Sequence, residues 1–279
     1  MPFRHTLQSW DVEGLLRCQP HLTITPDDRC ALLLTGRIEF TASGTNTEII
    51  TDAYEVAIHL PSDFPRGIPA VRDLSGRIKR NYHRLDDGSF CLGSPARLRL
   101  ALVQSPTLRK FVEKCVIPYL YGYSFFEKYG RPPFGELAHG DQGLLDDYAR
   151  LFGVSSIVAS AGILKMMGMK RRVANKYLCP CGSHFKLGKC HNKVVNLLRP
   201  QLGRAWCRLQ AQYLVEEYGD TLNTRNNNVR HNTPLMRARR SRKDSDRSKT
   251  GVESVAEVLK LTDEFASAQG SDLHLQKVA

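Results

Sequence analysis

The sequence predicts an α+β fold: an antiparallel meander sheet flanked by helices, followed by a small metal-binding module and a partly disordered basic tail. Three observations lead to it. Apolar residues alternate with a period of two through 30–41 and again through 54–60, with turn residues between. Beyond residue 105, apolar residues recur at helical spacing, and three cysteines and a histidine then crowd into 179–191. Charge divides along the chain as well. Residues 1–160 hold 18 Lys and Arg against 18 Asp and Glu, residues 161–250 hold 20 against 5, and residues 251–279 hold 2 against 5. The net charge of +12 thus resides in the C-terminal half, so any affinity for a polyanion belongs there. A length of 279 residues leaves room for one well-packed domain and further modules.

Taken in order, Ser9 is expected to cap a first helix. Asp11 and Glu13 fall in its first turn, Leu15, Leu16 and Cys18 follow, and Pro20 stops it. In the first strand Leu32, Leu34, Gly36, Ile38 and Phe40 share one side, with Leu33, Thr35, Arg37 and Glu39 on the other. Ser43-Gly44-Thr45-Asn46 turns the chain. The next strand sets Tyr54, Val56, Ile58 and Leu60 on one face against Glu55 and His59, which makes a hairpin. Ala70 to Leu74 adds a strand after the Phe64-Pro65 and Ile68-Pro69 pairs, giving a three- or four-stranded meander.

Ser105, with Pro106 behind it, is expected to cap the next helix, which carries Leu108, Phe111, Val112 and Cys115 at helical spacing. Pro118 forces a kink or a restart. The rings of Tyr119, Tyr121, Tyr123, Phe125, Phe126 and Tyr129 are expected in the core, as are Cys18, Cys30 and Cys115. Leu144 to Phe152 reads as a helix stopped by Gly153. Residues 161–176, with five Lys and Arg, read as a basic linker. Ala205 to Tyr218 reads as a helix, Asn223 to Thr250 as a disordered stretch too poor in apolar residues to offset chain entropy, and Val252 to Ala266 as an amphipathic helix.

Met1 to Trp10 lacks the apolar centre of a signal peptide, and no apolar run is long enough to span a bilayer. A reducing, cytoplasmic setting without a membrane partner is therefore expected. There, eight cysteines point to metal ligands or nucleophiles and not to a disulfide framework.

One cysteine stands in a turn. Asp86-Asp87-Gly88-Ser89 precedes Phe90-Cys91-Leu92, and Gly93-Ser94-Pro95 follows. Upstream lies Leu60-Pro61-Ser62-Asp63-Phe64-Pro65, then Ile68-Pro69. This succession resembles the core of ubiquitin-conjugating enzymes, over roughly residues 8 to 155, most clearly in the proline turn and the Gly-Ser-Phe-Cys-Leu loop. The resemblance implies a ubiquitin-conjugating-like domain over 1–160, with Cys91 carrying a ubiquitin-like protein as a thioester. It implies an activating-enzyme-like partner, an acceptor amine, and a place among bacterial conjugation or antiviral defence genes. The family sets a His-Pro-Asn tripeptide ahead of its cysteine, its asparagine eight positions upstream. This chain has Asn81-Tyr82-His83, so His83 occupies that position and Asn81 lies ten upstream. An imidazole can donate to a developing oxyanion and can also take a proton from an amine, so both residues are candidates and the site is divergent. Farther on, His139 is a candidate second acid/base group, and Asp141 either orients it or caps a helix.

Cys179, Cys181, Cys190 and His191 form a C-x-C-x8-C-H pattern, and three thiolates with one imidazole match the tetrahedral ligand set of structural zinc. The pattern resembles the SEC-C motif, a small zinc module at the C-terminus of the SecA translocation ATPase and fused to many bacterial proteins. It places a module at 177–200, with a helical and partly disordered basic tail over 201–279 that offers nucleic acid a surface. Two other readings stand beside the carrier. One is an inactive adaptor recruiting protein or nucleic acid through the zinc module and tail; the other is a Cys-His hydrolase using Cys91 with His83 or His139.

Overall fold

The computed structural model describes residues 8–26, 31–44, 47–133, 140–230 and 274–275. Helix α1 (Val12–Cys18) leads into β1 (Leu22–Thr25), β2 (Leu32–Ser43), β3 (Ile50–Leu60) and β4 (Ala70–Asp73), an antiparallel meander in the order β1-β2-β3-β4. The β2–β3 hairpin runs in register from Leu32 opposite Leu60 to Ala42 opposite Ile50. That register sets Leu34, Ile38 and Phe40 beside Tyr54, Val56 and Ile58 on one buried face, as the period-two pattern requires. A two-residue strand, β5 (His274–Leu275), pairs with the end of β2 at Ala42 and Ser43; nothing in its sequence announces it.

Helix α1 begins later than expected. Asp11, and not Ser9, stands at its N-cap position, in a left-handed conformation and without a side-chain cap. Two helices follow the Cys91 loop where one was expected. Ser94 caps α2 (Pro95–Gln104) by accepting from the Arg97 N–H, with Pro95 in the first turn. Ser105 therefore ends that helix instead of starting the next, and Thr107 caps α3 (Leu108–Phe111), accepting from the Lys110 N–H. Serine followed by proline occurs at both places, and the first occurrence had been absorbed into the cysteine loop. The chain widens into a π-helical segment over Val112–Val116 and restarts as α4 (Ile117–Tyr129), with Pro118 in its first turn. Pro118 has no N–H for the Lys114 carbonyl, which accounts for the break. The α4 rings Tyr121, Tyr123 and Phe125 are buried against the sheet, whereas Tyr129 is exposed.

Helix α5 (Gly140–Phe152) ends at Gly153, and the described residues part into two compact units within it, between Leu144 and Leu145. β5 belongs to the first unit. The second continues with α6 (Ile157–Gly168), α7 (Arg171–Ala174), α8 (Asn192–Leu202) and α9 (Arg204–Arg230). Residues 161–168, expected as the start of a basic linker, instead complete α6, and Ala161, Ile163, Leu164 and Met167 are buried there. Over 157–168 the helix is apolar and carries one lysine, and the cluster of basic residues begins only at Lys170. Helix α9 also runs to Arg230, through part of the stretch expected to be disordered; a formed helix gains one hydrogen bond per added residue. The expected disorder beyond 230 and the expected helix at Val252 to Ala266 lie outside the described residues.

Among the described residues no single helix is long and apolar enough to cross a membrane.

Candidate functional site

The Cys91 loop is built outward from β4. The Asp73 side chain at its end is fully buried and accepts from the Ser75 and Ile78 N–H groups, the Ser75 hydroxyl and the Arg84 guanidinium at 3.1 Å. These bonds fold 73–84 back so that Arg84 bridges to Phe90. Between them the chain reverses tightly: the Leu85 N–H donates to the Ser89 carbonyl and the Gly88 N–H to the Leu85 carbonyl. Gly88 takes φ 81°, which the turn requires and a side chain would resist. Asp87 accepts from both the Ser89 amide and hydroxyl and pairs with Arg72 of β4 at 2.8 Å, which holds its carboxyl below the usual range.

Cys91 itself is fixed by its neighbours. The Phe90 N–H donates to the Val71 carbonyl, and the Cys91 N–H donates to the His83 carbonyl at 2.7 Å. The Phe90 ring stacks on Tyr119 of α4 at 4.5 Å, and the Tyr119 hydroxyl donates to the Tyr82 carbonyl. The cysteine is partly exposed. Burial pushes its thiol above the ordinary value, against a weaker opposing pull from the Gly93 N–H.

Of the residues expected at this site, His83 joins Cys91 through its main chain, and its ring lies edge-on to Tyr82. Asn81 is solvent-exposed. His139 lies outside the described residues, and of Asp141 only the helical backbone is described. Cys18, expected in the core, is exposed at the end of α1, while burial pushes Cys115 up to about 12. Cys30 lies outside the described residues. Sequence reasoning passed over Asp73, Arg84 and Tyr119, which support the loop from afar. Tyr119 was read as a core ring, and no local spacing marks any of the three.

The second cluster forms within the helical unit. Leu178 and Lys186 pair across a minimal hairpin, clasped by the Cys179 N–H to the Phe185 carbonyl and the Leu187 N–H to the Tyr177 carbonyl. This presents Cys179 and Cys181, and the turn at Leu187–Lys189 returns Cys190 and His191 to them. The four ligand atoms lie within 4.8 Å of one another. His191 Nδ1 is 3.2 Å from the sulfurs of Cys179 and Cys190, and Cys181 and Cys190 are 3.5 Å apart. Bonds to zinc of about 2.3 Å from sulfur and about 2.0 Å from nitrogen imply edges of roughly 3.5 to 3.8 Å, so the cluster is near the size of a zinc tetrahedron.

The surroundings suit a metal too. His191 Nε2 lies 3.0 Å from the Gly153 carbonyl, and the Ser183 hydroxyl lies 3.3 Å from the Cys190 sulfur. Burial acts to raise Cys181, but hydrogen bonds from the Ser183 hydroxyl and amide and from neighbouring thiols outweigh it and bring it down to about 6. Gly162 of α6 lets the Cys-Pro-Cys turn approach: a Cβ there would stand 2.5 Å from that of Pro180. Four protein ligands close the coordination sphere, so the site can hold a structural metal and leaves no position for substrate.

No protein-family model, curated protein or solved structure matches the chain.

Proposed function

We propose that the chain is a ubiquitin-conjugating-like carrier. Cys91 takes the C-terminal acyl group of a ubiquitin-like protein from the thioester of an activating-enzyme-like partner: the new S–C bond forms, the old one breaks, and the Cys91 proton passes to the departing thiolate. An acceptor amine then attacks the carbonyl, Cys91 leaves as the thiolate, and the amine proton is taken up by the His83 imidazole or by water.

The observation that carries this reading is the setting of Cys91, on a loop tied to β4 through Val71 and to the preceding turn through His83, with a thiol raised by burial. A raised thiol makes a poor free nucleophile and a less labile thioester, which suits carriage and works against a hydrolase, whose nucleophile needs a lowered pKa. The meander leading into a cysteine loop followed by helices supports it further.

Cys179, Cys181, Cys190 and His191 would hold a structural Zn2+, which supplies folding energy when bound and takes no part in transfer.

The test incubates the purified protein with ATP, an activating-enzyme-like protein and a ubiquitin-like protein from the same gene neighbourhood. A covalent adduct cleaved by thiol reductant should form with the wild type, be absent in Cys91→Ala and resist reductant in Cys91→Ser. Absence of any Cys91-dependent adduct sinks the carrier reading, and an unchanged biological activity of Cys91→Ala would favour an adaptor.

A further inference from the structure

From Tyr148 to Val215 the chain contains 12 Lys and Arg and not one Asp or Glu. This stretch includes α6, the metal hairpin and α8. Some of these cations are engaged internally: Arg199, Arg204 and Arg208 donate to the carbonyls of Met166, Met167 and Gly168 at the C-terminus of α6. Others are not paired in this way. Arg171, Arg172, Lys176, Lys186 and Lys189 are exposed, and among the described residues none has a carboxylate partner.

The same hairpin exposes large apolar side chains. Tyr177 is 51 % exposed, Leu178 63 % and Phe185 62 %. Leu178 and Lys186 form the closely spaced, non-hydrogen-bonded pair of the ladder, and Tyr177 and Phe185 precede them on the two arms. The two aromatic residues are diagonal neighbours, with backbones about 7 to 8 Å apart. Adjacent bases of an extended single strand can span such a distance. A metal held by the flanking Cys179, Cys181, Cys190 and His191 would fix the two arms, so that a ligand need not order the loop.

We infer that this hairpin is a binding surface for single-stranded nucleic acid, with bases stacking on Tyr177 and Phe185 and phosphates running along Lys176 and the Arg171-Arg172 pair. Aromatic faces accept any base, and the cations neutralise phosphate, so binding is tolerant of sequence and sensitive to salt. A membrane surface is the poorer fit, because the apolar residues occupy a two-residue ladder and not the long amphipathic helix that lies in a lipid interface. The surface is independent of Cys91 and rests on the metal-held hairpin described above.

The test titrates the full-length protein against fluorescently labelled oligothymidylate and oligouridylate across a salt series, with zinc content measured for every variant. Tyr177→Ala with Phe185→Ala should weaken binding at least about tenfold at fixed salt and leave the slope of log K against log salt unchanged. Tyr177→Trp should retain affinity. Lys176→Gln and Arg172→Gln should each reduce the slope by about 0.7. The inference is overturned by absent binding at about 50 mM salt, by aromatic variants that bind as well as the wild type, or by a surface that takes phosphatidylserine vesicles and no oligonucleotide. A wild type lacking one zinc per chain overturns the metal reading instead, and the aromatic variants still decide this one.

Discussion

His191 reaches across 38 residues of sequence to Gly153, its Nε2 lying 3.0 Å from that carbonyl while Nδ1 faces the sulfurs of Cys179 and Cys190. The carbonyl can accept only from a protonated Nε2, so it selects the tautomer whose Nδ1 lone pair is free for a metal. The helix stop after Phe152 therefore belongs to the candidate metal centre.

Stripping the metal should collapse the helical unit. A structural zinc contributes on the order of 10 kcal/mol of folding free energy, more than a small helical unit holds in reserve. A strong chelator, or Cys190→Ser, should release zinc to a chromogenic reporter and lower far-ultraviolet helicity and the melting temperature together. An apoprotein that melts as before refutes the assignment.

Gly162→Val should act at a distance on the same centre. The added side chain meets Pro180, and the overpacking costs about 1 to 3 kcal/mol. Denaturant unfolding and zinc release rates measure it. Val158→Thr on the same helix, at a position 45 % exposed, is the control and should stay within about 0.5 kcal/mol of wild type.

Asp73→Ala should damage the Cys91 loop without touching it. Removing the carboxylate leaves the Arg84 guanidinium, whose Nε is already buried without a partner, facing a vacated site. A loss of about 3 to 5 kcal/mol is expected. Equilibrium unfolding should show it, together with slower adduct formation at Cys91; an effect below about 1 kcal/mol would mean that the pair contributes little to the loop.

Alkylation of Cys91 should be slow at neutral pH. Because its thiol is raised above the ordinary value of 9.0, the reactive thiolate is scarce there, and the rate should still be rising at pH 9. A plateau reached below pH 8 in an iodoacetamide pH profile would point back to a hydrolase. The linked effect on stability has a definite sign. A raised thiol stabilises the fold below its unfolded pKa and loses that contribution as pH rises, for Cys115 across the window from 9.0 to about 12.

The strands were legible because each alternates with one buried face, so Leu34, Ile38, Tyr54 and Ile58 declare their side without any knowledge of the fold. The Cys179, Cys181, Cys190 and His191 cluster was legible because four donors in thirteen residues leave few other uses. What escaped depends on distance. The partners of Asp73, Arg84 and Tyr119 are set by how the chain folds back, and the Gly153 carbonyl has no side chain to advertise it. Helix α6 escaped for another reason: its apolar residues surround the whole helix and show no stripe, so the basic residues after it dominated the reading.

The sheet unit carries side-chain ion pairs such as Arg77 with Asp52 and Glu127, and Arg84 with Asp73. In the second unit the stretch from Tyr148 to Val215 has 12 Lys and Arg and no Asp or Glu, so its cations repel one another. Dissolved ions therefore pull the two in opposite directions, screening attractions in one and repulsions in the other. Raising ionic strength should therefore cost the sheet a little stability and return a little to the helices.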